Sequence, residues 1–156
     1  MQLFELLNPE LIFLDVPGKT REEILKNIVE ELSRKSDRIE NPELFYQEVL
    51  EREKLGSTGI GEGVAIPHAR TDAVKELILV FARTREPIDF AAEDKRPVRL
   101  LFLLAVPVKG LKSYLMTLAR ISRVVRKESV RTNLLKASSQ EEVMRIIQKA
   151  ETETNA

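Results

Sequence analysis

The chain contains no cysteine among its 156 residues and only one histidine, His68. Without thiols it can build neither a disulfide framework nor a zinc site on thiolates, a composition that fits a reducing compartment. A single imidazole excludes histidine-based metal clusters. An all-carboxylate magnesium site needs no histidine, but no acidic cluster suggests one. Net charge is also missing: 25 Lys and Arg balance 25 Asp and Glu, so nothing global calls for nucleic acid or a membrane surface. The longest apolar run lies between Leu100 and Val108, far too short to cross a bilayer. Met1 to Glu10 shows no basic segment followed by an apolar one, and no signal peptide is expected. Neither an internal repeat nor a low-complexity stretch is present.

What is there describes a globular domain. Hydrophobic residues make up 43% and charged residues 32% of the chain, and its length favours one domain with a real core. Helical and extended patterns alternate, which predicts an α/β fold. Leu11 to Val16 reads as a strand closed by Pro17-Gly18. Thr20 with Glu23 forms a capping box opening a helix whose buried stripe is Ile24, Leu25, Ile28, Val29 and Leu32. A second helix starts at Asn41-Pro42, turns Phe45 and Val49 inward and stops near Gly56. Leu77 to Phe81 and Val98 to Val106 read as strands buried on both faces, joined by a polar connection from Glu86 to Pro97. Helices follow from Lys112 to about Lys127 and from Val130 to Ala137, and Ser138 with Glu141 predicts the cap of a last one. One domain is expected over residues 1–150, with a frayed polar tail over 151–156.

The chemistry concentrates around a loop with four glycines in eight residues, Gly56-Ser57-Thr58-Gly59-Ile60-Gly61-Glu62-Gly63. It is not a Walker A motif, because Glu62 stands where lysine is required. The dinucleotide fingerprint fails as well, closing one residue early. No Gly-x-Ser-x-Gly elbow is present. What remains is a flexible loop with an arginine before it and an imidazole after it. Glycines let main-chain N–H groups converge on an anion, and Ser57 and Thr58 add hydroxyl donors. Arg52 offers a bidentate fork for phosphate oxygens. A neutral His68 ring nitrogen is a nucleophile, which makes a site for phosphoryl transfer to nitrogen. Taken singly, His68 reads more readily as a hydrogen-bonded structural residue, Arg52 as a solvated partner of Glu48 or Glu51, and the loop as a plain connection. Their clustering within the 17 positions from Arg52 to His68 raises the site from the weaker reading to an equal one.

The run from Arg52 to His68, ending Gly63-Val64-Ala65-Ile66-Pro67-His68, resembles the phosphohistidine signature of the bacterial phosphotransferase-system enzyme IIA domains. The class is the fructose/mannitol one, and the nitrogen-regulatory branch is the nearest in pattern. Pro87-Ile88-Asp89-Phe90, Val98 to Pro107 and Leu134 to Ile147 extend the resemblance over nearly the whole chain. It implies a three-layer α/β/α domain with a mixed sheet flanked by helices. It also implies that His68 accepts a phosphoryl group on Nε2 from an HPr-type histidine phosphocarrier, with Nδ1 held by a main-chain carbonyl. Arg52 would bind the phosphoryl oxygens. The resemblance further implies a cytoplasmic protein that needs no metal or other cofactor.

Two positions depart from the family pattern. Ala69 follows His68 where the family usually has glycine. Tyr114, in Tyr114-Leu115-Met116-Thr117-Leu118, stands where the family often has a second active-site histidine. Tyr114, Leu118, Ile121 and Val125 share one helical face, opposite Arg120, Arg123 and Lys127, so Tyr114 is expected to point inward. There its phenol either donates to a phosphoryl oxygen or simply fills space. From Lys109 to Lys136 eight basic residues meet one acid, Glu128. A solvated helix face explains this best, a docked protein second and nucleic acid a distant third. The expected function is a phosphocarrier with a regulatory output. The alternatives are a sugar-specific enzyme IIA that passes phosphate to a IIB domain, and a binding module that has lost transfer.

Overall fold

The computed structural model describes residues 2–154. Helix α1 (Leu3–Leu6) and a single 3-10 turn (Pro9–Leu11) lead into strand β1 (Ile12–Val16). Helices α2 (Arg21–Lys35) and α3 (Pro42–Leu55) follow, then three short strands, β2 (Gly59–Gly61), β3 (Val64–Ala65) and β4 (His68–Thr71). The long strands β5 (Ile78–Ile88) and β6 (Val98–Pro107) precede α4 (Leu111–Val125), α5 (Glu128–Lys136) and α6 (Gln140–Thr154).

The strands form one mixed sheet in the order β1-β5-β6-β3-β2, with β4 also paired to β6. β1 runs parallel to β5, β5 antiparallel to β6, and β3 and β4 both parallel to β6. β3 and β4 lie end to end along one side of β6, separated only by Ile66 and Pro67. Proline brings no N–H to the ladder, so the break falls where a donor is missing.

Two hydrophobic clusters cover the two faces of this sheet. Along β6, Leu101, Leu103 and Ala105 join the cluster that holds α2 and α3 side chains. Leu100, Phe102, Leu104 and Val106 join the cluster that holds α4, α5 and α6 side chains. The period of two thus sorts one apolar run into two cores, giving the α/β/α layering. Asn41 caps α3 as expected, its Oδ1 accepting the Leu44 N–H at 3.1 Å, and at α2 the Thr20 half of the expected capping box forms, Oγ1 accepting the Glu23 N–H at 3.1 Å.

Three local expectations are corrected. Strand β5 continues past Phe81 to Ile88 through residues read as a connection. Its register against β6 shifts between Arg83 and Ile88, and that irregularity accommodates Pro87. The last helix is capped by Ser139 rather than Ser138: the Ser139 hydroxyl accepts the Glu142 N–H at 3.1 Å, and the Glu142 carboxylate accepts the Ser138 N–H at 2.9 Å. Both serines precede a glutamate by three residues; the Ser139 carbonyl takes the first helical bond, from Val143. Finally, α6 runs to Thr154 instead of fraying after Ala150, because Glu151 is buried and receives the Leu3 N–H at 2.7 Å and the Phe4 N–H at 2.9 Å. Residues 155 and 156 of the expected tail lie outside the described residues.

Candidate functional site

His68 begins β4, half-buried, with Leu104 of β6 beside it and the other side of the strand open. Its neighbour Ala69 turns into the α2–α3 core, so the strand alternation sends His68 towards the layer that contains α4. The ring is fixed at both nitrogens. Nδ1 lies 2.8 Å from the Ile66 carbonyl oxygen and Nε2 lies 2.9 Å from the Tyr114 hydroxyl. A carbonyl oxygen only accepts, so Nδ1 carries the hydrogen and donates it. Nε2 therefore holds the lone pair, and the Tyr114 hydroxyl donates to it.

The electrostatics keep that ring neutral. Burial pushes the His68 pKa below the ordinary value of 6.5; the bond to the Ile66 carbonyl opposes the shift, the Arg52 guanidinium reinforces it, and Glu53 opposes it. Burial pushes the Tyr114 phenol up, with Arg52 acting against that, so Tyr114 remains a donor. The rings of the two residues sit 5.0 Å apart, tilted by 40°.

Arg52 stands in the last turn of α3, and its NH1 group donates to the Gly56 carbonyl at 2.7 Å. It lines an open cavity of about 410 Å³ together with His68, Tyr114, Arg70, Leu55, Glu48 and Glu51. The structure thus brings together Arg52, His68 and Tyr114 across three elements, as the sequence pattern predicts.

Ser57 and Thr58 are placed differently. Thr58 is buried, its hydroxyl donates to Glu53, and its N–H reaches the same carboxylate at 3.2 Å. The Ser57 hydroxyl donates to the Phe90 carbonyl and accepts the Gly59 N–H at 3.0 Å. Neither lines the cavity. The glycine loop is not an anion nest in this conformation either, since the Thr58, Gly59 and Glu62 amides bind Glu53, Ser57 and Asp94. Its glycines answer other demands. A Cβ on Gly59 would come within 2.9 Å of Ala92 Cβ, and Gly63 turns at φ +79° in the β2–β3 hairpin. The loop and its hairpin hold β3 against β6, and so help to set the position of His68.

Comparison with known proteins identifies the family. The sequence pattern of the phosphoenolpyruvate-dependent sugar phosphotransferase system EIIA 2 family matches residues 5–150. The chain belongs to that family. It is 38% identical over 138 residues to the fructose-specific EIIA component of Haloferax volcanii, covering 88% of this chain and 89% of that protein. The crystal structure of the nitrogen regulatory protein IIA-Ntr from Neisseria meningitidis superposes with a TM-score of 0.85 at 36% identity, covering 93% of this chain and 98% of that one. Enzyme IIA of the mannitol system of Escherichia coli, solved in complex with phosphorylated enzyme IIB, matches with a TM-score of 0.75 at 28% identity over 91% of this chain and 96% of that one. The EIIA family thus accounts for the layered fold, and its named members are both regulatory and sugar-specific.

One charged residue of the cavity, Arg70, is not singled out by the sequence. Arg70 is two residues from His68 on β4, and strand alternation puts the two on the same side. That signal becomes legible only once residues 68–71 are known to be a strand, which a histidine following a proline does not announce. Among the described residues no group of three or more His, Cys, Asp or Glu side chains lies close enough to hold a metal ion. No helix among them is long and apolar enough to cross a membrane.

Proposed function

We propose that the protein is a phosphocarrier that takes a phosphoryl group on Nε2 of His68 from an HPr-type histidine phosphocarrier and uses the phosphorylated state as a regulatory signal in the cytoplasm. The observation that carries this reading is the fixed tautomer. The Ile66 carbonyl holds the hydrogen on Nδ1, so the lone pair is on Nε2 beside Arg52 and the open cavity. A nucleophile needs that lone pair, and a pKa below 6.5 keeps it unprotonated at neutral pH.

The transfer balances without a metal. The Nε2 lone pair forms a bond to phosphorus as the donor's P–N bond breaks, and the electron pair of that bond returns to the donor ring. Each ring keeps its own N–H, so a positive ring charge moves with the phosphoryl group. Arg52 meets the phosphoryl oxygens with its planar fork. The Tyr114 hydroxyl, which caps Nε2 in the unmodified site, gives up that contact and donates to a phosphoryl oxygen instead. Replacing a neutral ring by an anionic group changes which surfaces the site accepts, and this is the regulatory output.

A sugar-specific role, with the phosphoryl group passed on to a IIB domain, is the second reading. It draws support from the mannitol enzyme IIA solved with its phosphorylated IIB. A binding module without transfer is the third, favoured by the Tyr114 hydroxyl sitting on the reactive nitrogen. The test is incubation with phosphoenolpyruvate, enzyme I and an HPr-type carrier. Acid-labile, base-stable label on the protein, absent from His68→Gln, is the expected result. Passage of that label to a IIB cysteine would turn the assignment to the sugar-specific role. Failure of every HPr-type carrier to label the protein would turn it to the binding module.

A further inference from the structure

We infer that Arg70 is a second phosphoryl-binding arginine, which closes on the group carried by His68 from the strand side while Arg52 holds it from the helix side. The inference rests on the phosphocarrier reading and names a residue that this reading does not need.

The placement comes from the strand. His68 and Arg70 are alternate residues of β4 on the same side of it, roughly 7 Å apart along the strand, within the span of an extended arginine side chain. Both line the same open cavity. On its buried side β4 is occupied: Ala69 and Thr71 are covered, and the Thr71 hydroxyl donates to Glu48. The open side carries only the imidazole and the guanidinium.

The charge arithmetic of the cavity calls for a second cation. Glu48 and Glu51 line it alongside Arg52 and Arg70. A phosphoryl group brings about two negative charges into that space, and Tyr114 supplies a hydrogen-bond donor but no charge. Arg52 and the positively charged ring of phosphorylated His68 supply one charge each, so without Arg70 the site stays net negative. Both arginines are available. Among the described residues neither makes an ion pair, although two carboxylates share their cavity. Each instead donates to a main-chain carbonyl at the cavity rim, Arg52 to Gly56 and Arg70 to Val108. A guanidinium held on a neutral carbonyl can exchange it for phosphoryl oxygens, where both partners are charged and the planar fork can meet two oxygens at once.

The experiment measures the equilibrium ratio of phosphoryl group on the protein to that on the HPr-type carrier. Contacts made only while the two proteins are docked change the rate but cancel from this ratio, so a purely docking arginine leaves it unmoved. For Arg70→Gln the ratio is expected to fall about tenfold, the loss of one charge-assisted bond at a partly exposed site. The fall should shrink as salt is raised. Arg70→Lys keeps the charge but not the fork, and should fall by a smaller factor of about three; it becomes the deciding variant if circular dichroism shows Arg70→Gln unfolded. An unchanged ratio in the deciding variant overturns the inference. Wild-type protein that takes no label, or label that survives His68→Gln, refutes the phosphocarrier reading itself and is distinguishable from that result.

Discussion

The Tyr114 hydroxyl lies 2.9 Å from Nε2 of His68, the nitrogen that acts as nucleophile in the proposed phosphoryl transfer. Helix α4 therefore caps the nucleophile that strand β4 presents, and the capped ring is neutral. A hydrogen bond to the lone pair is one the imidazolium cannot accept, so it favours the neutral form.

Removing that cap should be visible in the titration of the ring. For Tyr114→Phe we expect the His68 midpoint to rise towards 6.5, because the neutral imidazole loses its donor while its burial changes little. The only histidine in the chain gives a single imidazole resonance in NMR. A midpoint that stays in place or falls would show that the hydroxyl does not bind Nε2 in solution.

The pH dependence of the wild type follows from the same ring. Burial holds the folded pKa of His68 below 6.5. Between the folded value and the unfolded value of about 6.5, the unfolded chain takes up a proton that the folded chain refuses, so this ring's contribution to stability falls as pH drops through that window. The nucleophile stays unprotonated over the same window. Initial labelling rates, corrected for the carrier's own titration, should decline as pH falls, with a midpoint below 6.5. A decline centred above 6.5 would contradict the placement of His68.

Arg52→Ala tests the clamp from the helix side. We expect the equilibrium level of labelling to fall about tenfold or more, with one charge-assisted bond to the phosphoryl group lost. The melting temperature should change little, since Arg52 makes no ion pair among the described residues and its bond to Gly56 lies at the surface. The His68 midpoint should also rise, because a nearby positive charge that lowers it is gone. Unfolding of this variant would make Arg52 a structural residue.

Glu151→Ala tests the tie between the chain ends. Its carboxylate accepts the Leu3 and Phe4 amides, and these lose their partners in the variant. Chemical denaturation should register a loss on the order of 2 kcal/mol, with hydrogen exchange at Leu3 and Phe4 rising first. Labelling of His68 at a temperature where the variant is folded should be unchanged.

Local signals carried much of this molecule. The cap at Thr20 is read from four residues and that at Asn41 from two, and both side chains accept a helix N–H. The apolar runs in β5 and β6 announce strands buried on two faces, which is enough to call for helices on both sides. The signature from Arg52 to His68 resembles one family closely, and Tyr114 could be turned inward from helical spacing alone. Ser57 and Thr58 show where such reading stops. Hydroxyls beside glycines look like anion donors, yet buried Glu53 and the Phe90 carbonyl claim them first. A chain end rich in charge looks frayed, yet Glu151 finds two amides 147 and 148 residues away.

The sequence by itself determined the layers, the caps of α2 and α3 and the choice of His68 as candidate nucleophile, because each rests on short local patterns. Tertiary structure decided three things. It set which nitrogen of His68 carries the lone pair: the Ile66 carbonyl is only two residues away, but it meets Nδ1 because of the way the break between β3 and β4 sits against β6. It capped that nitrogen with Tyr114, 46 residues further on. It placed Arg70 on the same side of β4 by pairing residues 68–71 with β6. These are choices of partner among groups that are distant in sequence or share one local pattern, and only the packed fold determines which partner each group meets.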